Sequence, residues 1–156
     1  MPERPAELDR LELLAGSWKT TGTVEMLGLK DPLNVDGANT ARWSCERRLL
    51  IDESHFDMDA LGPMTGVSLW TYHPGKKKYL MWWFDSFGES ATGSAKFNKK
   101  TRTWKIKTRG KNHWCSVVNH GTIRQIDEDT LEWTWVQWDA FHILRYAKMR
   151  GISRRQ

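Results

Sequence analysis

Past residue 16 the chain alternates apolar and polar side chains with a period of two, most plainly in RTWKIKTR (102–109) and TLEWTWVQW (130–138). That period places alternate side chains on opposite faces of a sheet. Turn signals punctuate it: DG at 36–37, GP at 62–63, HPG at 73–75, FG at 87–88, RGKN at 109–112 and DED at 127–129. The pattern predicts strands near 17–27, 35–47, 49–58, 65–73, 77–86, 89–97, 102–109, 112–126, 130–138 and 141–150. About ten strands with short connections favour an all-β fold, a single antiparallel up-and-down barrel, because closure removes exposed sheet edges. A barrel of about eight to ten strands has room for one small ligand. The one helical pattern precedes it, with Pro5 as a first-turn residue and Leu8, Leu11, Leu13 and Leu14 as a rough apolar stripe ending before Gly16.

Composition narrows the function classes. At 156 residues the chain is expected to form one domain, 1–156, with a core large enough to need no disulfide or metal. No apolar run reaches the roughly 18 residues of a bilayer span, and MPERPAELDR is charged where a signal peptide turns apolar. Neither membrane contact nor secretion is expected; the cytoplasm is the default, with Cys45 and Cys115 as free, buried thiols. The net charge of +5 is concentrated in KKK (76–78), KK (99–100) and the terminal MRGISRRQ. The first two clusters adjoin turn residues, where solvated lysines protect strand edges, so nucleic acid is not the expected partner. The five histidines (55, 73, 113, 120, 142) show no metal-ligand spacing, and nucleophile elbow, P-loop and dinucleotide fingerprint are all missing. No metal and no cofactor is expected on these grounds.

LELLAGSWKTTG (11–22), a short helix followed by Gly16-Ser17-Trp18 at the first strand, resembles the opening of the calycin superfamily. The succession CERRLL, a strand ending in FDMD, Gly66 followed by TYHP, and KKKYLMWWFDSFG is similar to a lipocalin-like bacterial family of unknown function. That family's pattern has a cysteine before a bend, then Gly...Gly-Tyr-Asp, then Tyr-x-x-x-Trp-x-Asp-Ser; Thr71 and His73 depart from it around Tyr72. The resemblance implies a lipocalin-like barrel. It picks out Tyr79, Trp83 and Asp85, and implies that Trp18 closes one barrel end under a late arginine, Arg145 or Arg150.

Side chains two apart share a face, so Tyr79, Met81, Trp83, Asp85 and Phe87 lie opposite Leu80, Trp82 and Phe84. With the family's residues placed inside, Trp82 and Phe84 fall outside, against the helix or a second subunit; a homodimer is one expectation. The same parity assigns Val35, Ala41, Trp43 and Cys45, then Leu131, Trp133, Trp135 and Gln137, then Phe141, Ile143, Arg145 and Ala147 to the interior. The ligand-binding candidates are therefore Trp43, Tyr79, Met81, Trp83, Asp85, Trp133, Trp135 and Arg145. Asp85 has two readings: an acceptor that fixes the interior, or a group that orients a ligand or moves a proton. Such a Trp-rich cavity suits a small, largely apolar or aromatic molecule. The alternative is an isomerase or cyclase with Asp85 and His55 or His120 as acid and base. A lesser alternative is haem on His120 or His55.

Overall fold

The computed structural model describes residues 3–156. A 3-10 helix, Ala6–Leu13, leads into ten strands: β1 (Gly16–Met26), β2 (Leu33–Ser44), β3 (Leu49–Asp57), β4 (Pro63–His73), β5 (Lys78–Asp85), β6 (Ser90–Asn98), β7 (Thr103–Lys111), β8 (Ser116–Gln125), β9 (Thr130–Asp139) and β10 (Arg145–Arg155). Each strand pairs antiparallel with its neighbours, and β1 pairs with β10 to close a ten-strand up-and-down barrel. Every strand that the hydrophobic alternation predicts is present.

Three strands differ by three residues or more at a boundary, each because local hydrogen bonding or backbone conformation overrides the alternation. β2 stops at Ser44 because Cys45, Glu46 and Arg47 adopt left-handed φ angles of 49°, 55° and 61°. Cys45 is therefore exposed in a turn rather than buried inside. β8 begins at Ser116, not 112, because the Asn112 side-chain oxygen accepts from the amides of Trp114 and Cys115 and curls 112–115 into a loop. The last strand is displaced by about half its length. The Asp139 carboxylate accepts from the amides of Phe141, Ile143 and Leu144, which holds that stretch as a loop. Phe141 and Ile143 are exposed there, and the basic tail extends the strand that closes the barrel to Arg155.

The helix plugs one end. Leu8, Leu11 and Leu14 are buried at spacings of three, the repeat of a 3-10 helix, on which side chains three apart eclipse. They pack with Trp18, Leu50, Trp70, Tyr79, Trp104 and Ile106. The Tyr79 ring stands edge-on to Trp104 at 4.5 Å, and its hydroxyl donates to the Glu7 carbonyl, tying the helix to β5. Trp82, set outside the barrel by sequence parity against this helix or a second subunit, is not part of that cluster; the partly buried rings that join it include Trp43 and Tyr72.

The same end is locked by the junction of first and last strands. Trp18 and Arg155 are register partners, and the guanidinium lies 4.2 Å from the Trp18 ring centre. It donates to the Ala15 carbonyl at 2.7 Å and pairs with Asp129 at 3.3 Å. Gly16 makes this possible: its φ is +112°, and a Cβ there would collide with the guanidinium. The late arginine is thus Arg155. Arg145 and Arg150 lie on exposed positions, because β10 runs to residue 155 and its register brings only the terminal arginine level with Trp18.

Trp18→Ala is expected to lower unfolding free energy by about 3–5 kcal/mol, the range for large aromatic truncations in cores. Arg155→Ala is expected to cost about 1–3 kcal/mol through the lost ring contact and charge-assisted bonds. Urea unfolding of the two variants beside the parent protein checks both values and their order.

Candidate functional site

Above the plug the barrel encloses a cavity of about 710 Å³, within the size range of small-molecule sites. It opens at the far end, where Leu27, Leu61, Phe87 and Trp114 stand at the mouth on four different loops. Trp114 is 87% exposed. Six of the ten tryptophans line the space: Trp18, Trp70, Trp83, Trp114, Trp133 and Trp135.

So many indoles would fill a barrel if they projected towards its axis. Three instead lie over glycines of neighbouring strands: Trp83 over Gly66, Trp135 over Gly121 and Trp133 over Gly151. A Cβ at any of those glycines would sit well inside van der Waals contact with the ring. The missing side chain lets the ring settle against the wall, so the cavity keeps its volume.

Three carboxylates face this apolar space. Asp52 accepts from the Asn39 amide at 2.7 Å and the Ser68 hydroxyl at 3.4 Å, and that hydroxyl accepts the Trp70 indole N–H at 2.8 Å. Glu89 accepts from the amides of Asn119 at 2.9 Å and Gln137 at 2.6 Å. Asn119 is itself fully buried and also donates to Thr108. Burial pushes both acids above the ordinary carboxylate value, against the hydrogen bonds that favour ionisation. Like charge adds to the rise, from Glu53 beside Asp52 and from Asp85 beside Glu89.

Asp85 is bound differently. One oxygen accepts the Trp83 indole N–H at 2.9 Å, and the other accepts the backbone amides of Phe87 and Glu89 at 3.0 Å. It shapes the β5–β6 turn. Ser86 completes the turn by bonding in both directions to Thr65 on β4, whose neighbour Gly66 lies under the Trp83 ring.

The sequence candidates separate accordingly. Met81, Trp83, Asp85, Trp133 and Trp135 come together on the cavity wall. Tyr79 is buried in the plugged end instead. Trp43 lies on the flank of the helix, its indole bonded to Glu12 and its ring near the guanidinium groups of Arg4 and Arg47. Arg145 is on the outer surface, 3.5 Å from Glu25, because a bulge between Arg145 and Ala147 shifts the parity at the start of β10. His55 points outward between Ser54 and Phe56, which line the cavity. His120 also lies on the outer face, its Nε2 3.0 Å from that of His142, and burial pushes its pKa down. Neither histidine can meet Asp85 as an acid–base partner or ligate a haem inside the barrel. Asn39, Asp52, Glu89 and Asn119 escaped notice in the sequence. For three of them a signal existed: a polar residue at an inward step, Asn39 before Ala41, Asp52 between Leu50 and Ser54, and Asn119 between Val117 and Gly121.

A profile described as a protein of unknown function, DUF1579, matches residues 4–139. The chain belongs to this family. No curated protein matches it in sequence. Among solved structures, DUF1579 architecture as seen here is similar to Rv2717c from M. tuberculosis, at 14% identity over 99% of both chains with a TM-score of 0.76. It is also similar to the S-type phycobiliprotein lyase CPES from Guillardia theta, at 9% identity over 98% of this chain and 94% of that one, TM-score 0.68. A third likeness is EF1p2_mFAP2b bound to DFHBI, at 14% identity over 96% and 98%, TM-score 0.52. At these identities the likeness is one of fold.

Two outcomes follow from the carboxylates. Because the folded-state pKa of Asp52 is raised, its contribution to stability is present below the ordinary carboxylate value and is lost as pH rises through the folded one. Asp52→Asn is therefore expected to raise Tm relative to the parent at pH 7, and to give no gain near pH 4, in paired thermal melts. Asp85→Ala leaves the Trp83 indole and two amides without their acceptor and is expected to cost about 1–3 kcal/mol, read by the same urea titration as the barrel-end variants.

Proposed function

We propose that this barrel is a binding protein for one small, largely aromatic molecule held in the open cavity. The observation that carries the reading is the lining itself: six indoles around about 710 Å³, with one end plugged and the other open. Flat apolar walls with a few placed polar groups select a flat apolar guest and fix its orientation. The dye named with one structural neighbour and the lyase activity named for another support a small-molecule occupant for the fold. Proton transfer between Asp85 and a histidine is less well supported, since Asp85 is engaged by three donors and His55 and His120 face away. The unpaired thiols, Cys45 in the β2–β3 turn and Cys115 in the β7–β8 loop, suit a reducing compartment such as the cytoplasm.

Titration with N-phenyl-1-naphthylamine, a neutral aromatic probe, tests the reading. The expected result is a saturable 1:1 complex with quenched tryptophan emission and enhanced probe emission. Ala147→Trp, which fills the cavity from β10, should abolish both signals without unfolding the barrel. Failure of the probe to bind the folded parent protein, or binding that is indifferent to Ala147→Trp, overturns it.

A further inference from the structure

We infer that the cavity is built for an organic cation, an aromatic or arylalkyl amine in its ammonium form, and against anionic guests. The inference rests on the binding reading above and adds the sign of the ligand's charge.

The alternation of the strands keeps lysine and arginine off the cavity wall. On β7, Lys105, Lys107 and Arg109 are exposed while Trp104, Ile106 and Thr108 face in; on β10, Arg150 and Arg154 are exposed while Ser153 is buried. Among the described residues that line the cavity there is no lysine or arginine, and the one basic side chain is His113, from the loop at the mouth. Three acids, Asp52, Asp85 and Glu89, line it. A protein of net charge +5 thus has a negative interior.

The hydrogen bonding of the acids points the same way. Asp52 and Glu89 receive only neutral side-chain donors, an amide and a hydroxyl for one and two amides for the other. A carboxylate has about four acceptor positions, and each of these two, lining the cavity, accepts from two side chains, so each keeps acceptor capacity. A structural buried carboxylate is ordinarily neutralised by a cation of the protein, and these two are not. An ammonium group satisfies that need by charge-assisted hydrogen bonds, and the neighbouring indole faces add cation–π attraction. A carboxylate or phosphate guest would find no fixed positive partner in the lining and would be repelled by three acids.

The acids also lie on different walls. Around the ring of ten strands, Glu89, at the head of β6, stands three places from β3, which carries Asp52, and its partner Asn119 on β8 stands five places from β3. An amine with a second donor at its other end can address both walls, while its aromatic body lies among Trp70, Trp83, Trp133 and Trp135.

The test uses three probes with one aromatic body and different charge: 1-naphthylmethylammonium, 1-naphthalenemethanol and 1-naphthylacetate, titrated calorimetrically into the full chain. The expected order is ammonium at least about tenfold tighter than the alcohol, with the carboxylate weakest. In the Asp52→Asn/Glu89→Gln double variant the preference of ammonium over alcohol should shrink to within about twofold; if that variant melts below the assay temperature, Asp52→Asn alone should reduce it. Equal affinity of ammonium and alcohol, tightest binding of the carboxylate, or a preference that survives removal of both charges overturns the inference and leaves the binding reading intact. Binding of N-phenyl-1-naphthylamine with none of the three naphthyl probes overturns it as well. Failure of N-phenyl-1-naphthylamine to bind, or binding of it that is indifferent to Ala147→Trp, is what brings down the binding reading itself.

Discussion

A tryptophan ring lying over a glycine of the next strand is the contact on which this cavity depends. Closing ten strands creates an interior wider than the side chains of one layer need to fill, and six indoles directed at the axis would close it again. Gly66, Gly121 and Gly151 give Trp83, Trp135 and Trp133 a place against the wall. The same pairs strengthen the sheet, since a ring covering a glycine replaces the packing that the absent side chain cannot supply. Stability and open volume, usually in opposition within a core, here come from one contact.

The two ends of the barrel are built on opposite principles. At the plugged end, three leucines at a spacing of three, the Tyr79–Trp104 pair and the Arg155–Trp18 stack pack the barrel shut. Arg155 joins β10, the segment before β1 and the β8–β9 turn in one guanidinium, so closure of the sheet and seating of the helix are coupled. At the open end, the loops carry exposed apolar side chains, among them Leu27, Phe87 and Trp114, and the nearest ordering device is Asp85. A carboxylate among aromatic rings is accounted for there: it terminates one strand, turns the chain and fixes the indole of Trp83 with the same two oxygens.

Polar groups inside are few and arranged in chains. Thr108, Asn119, Glu89 and Gln137 are connected by hydrogen bonds, as are Asn39, Asp52, Ser68 and Trp70. Satisfaction of this kind makes buried acids tolerable without neutralising them, because amide and hydroxyl donors lower the cost of the charge but bring no countercharge. The interior is therefore apolar in area, and its carboxyl groups meet no lysine or arginine among the described lining residues, beneath an outer surface rich in lysine and arginine.

Local pattern was enough to determine the ten strands, their order and the inward parity of Trp133 and Trp135, because a period of two is a property of the strand itself and survives into any sheet it joins; it put Met81, Trp83 and Asp85 on one face, and the family resemblance set that face inside. It was enough also to mark Trp18 as an end residue through the Gly-x-Trp resemblance. Parity carried past the true strand ends misplaced Cys45, Phe141 and Ile143, since the left-handed turn at 45–47 and the Asp139-capped loop are set by hydrogen bonds and backbone angles that hydrophobicity does not encode, while a bulge turned Arg145 outward and Trp43 meets the helix at the plugged end rather than the cavity. Which arginine covers Trp18, which histidines face outward, and that Glu89 from a turn meets Asn119 and Gln137 from two distant strands were decided only by register and closure. Those are relations between segments remote in the chain, and they acquire a value only once the first strand has found the last.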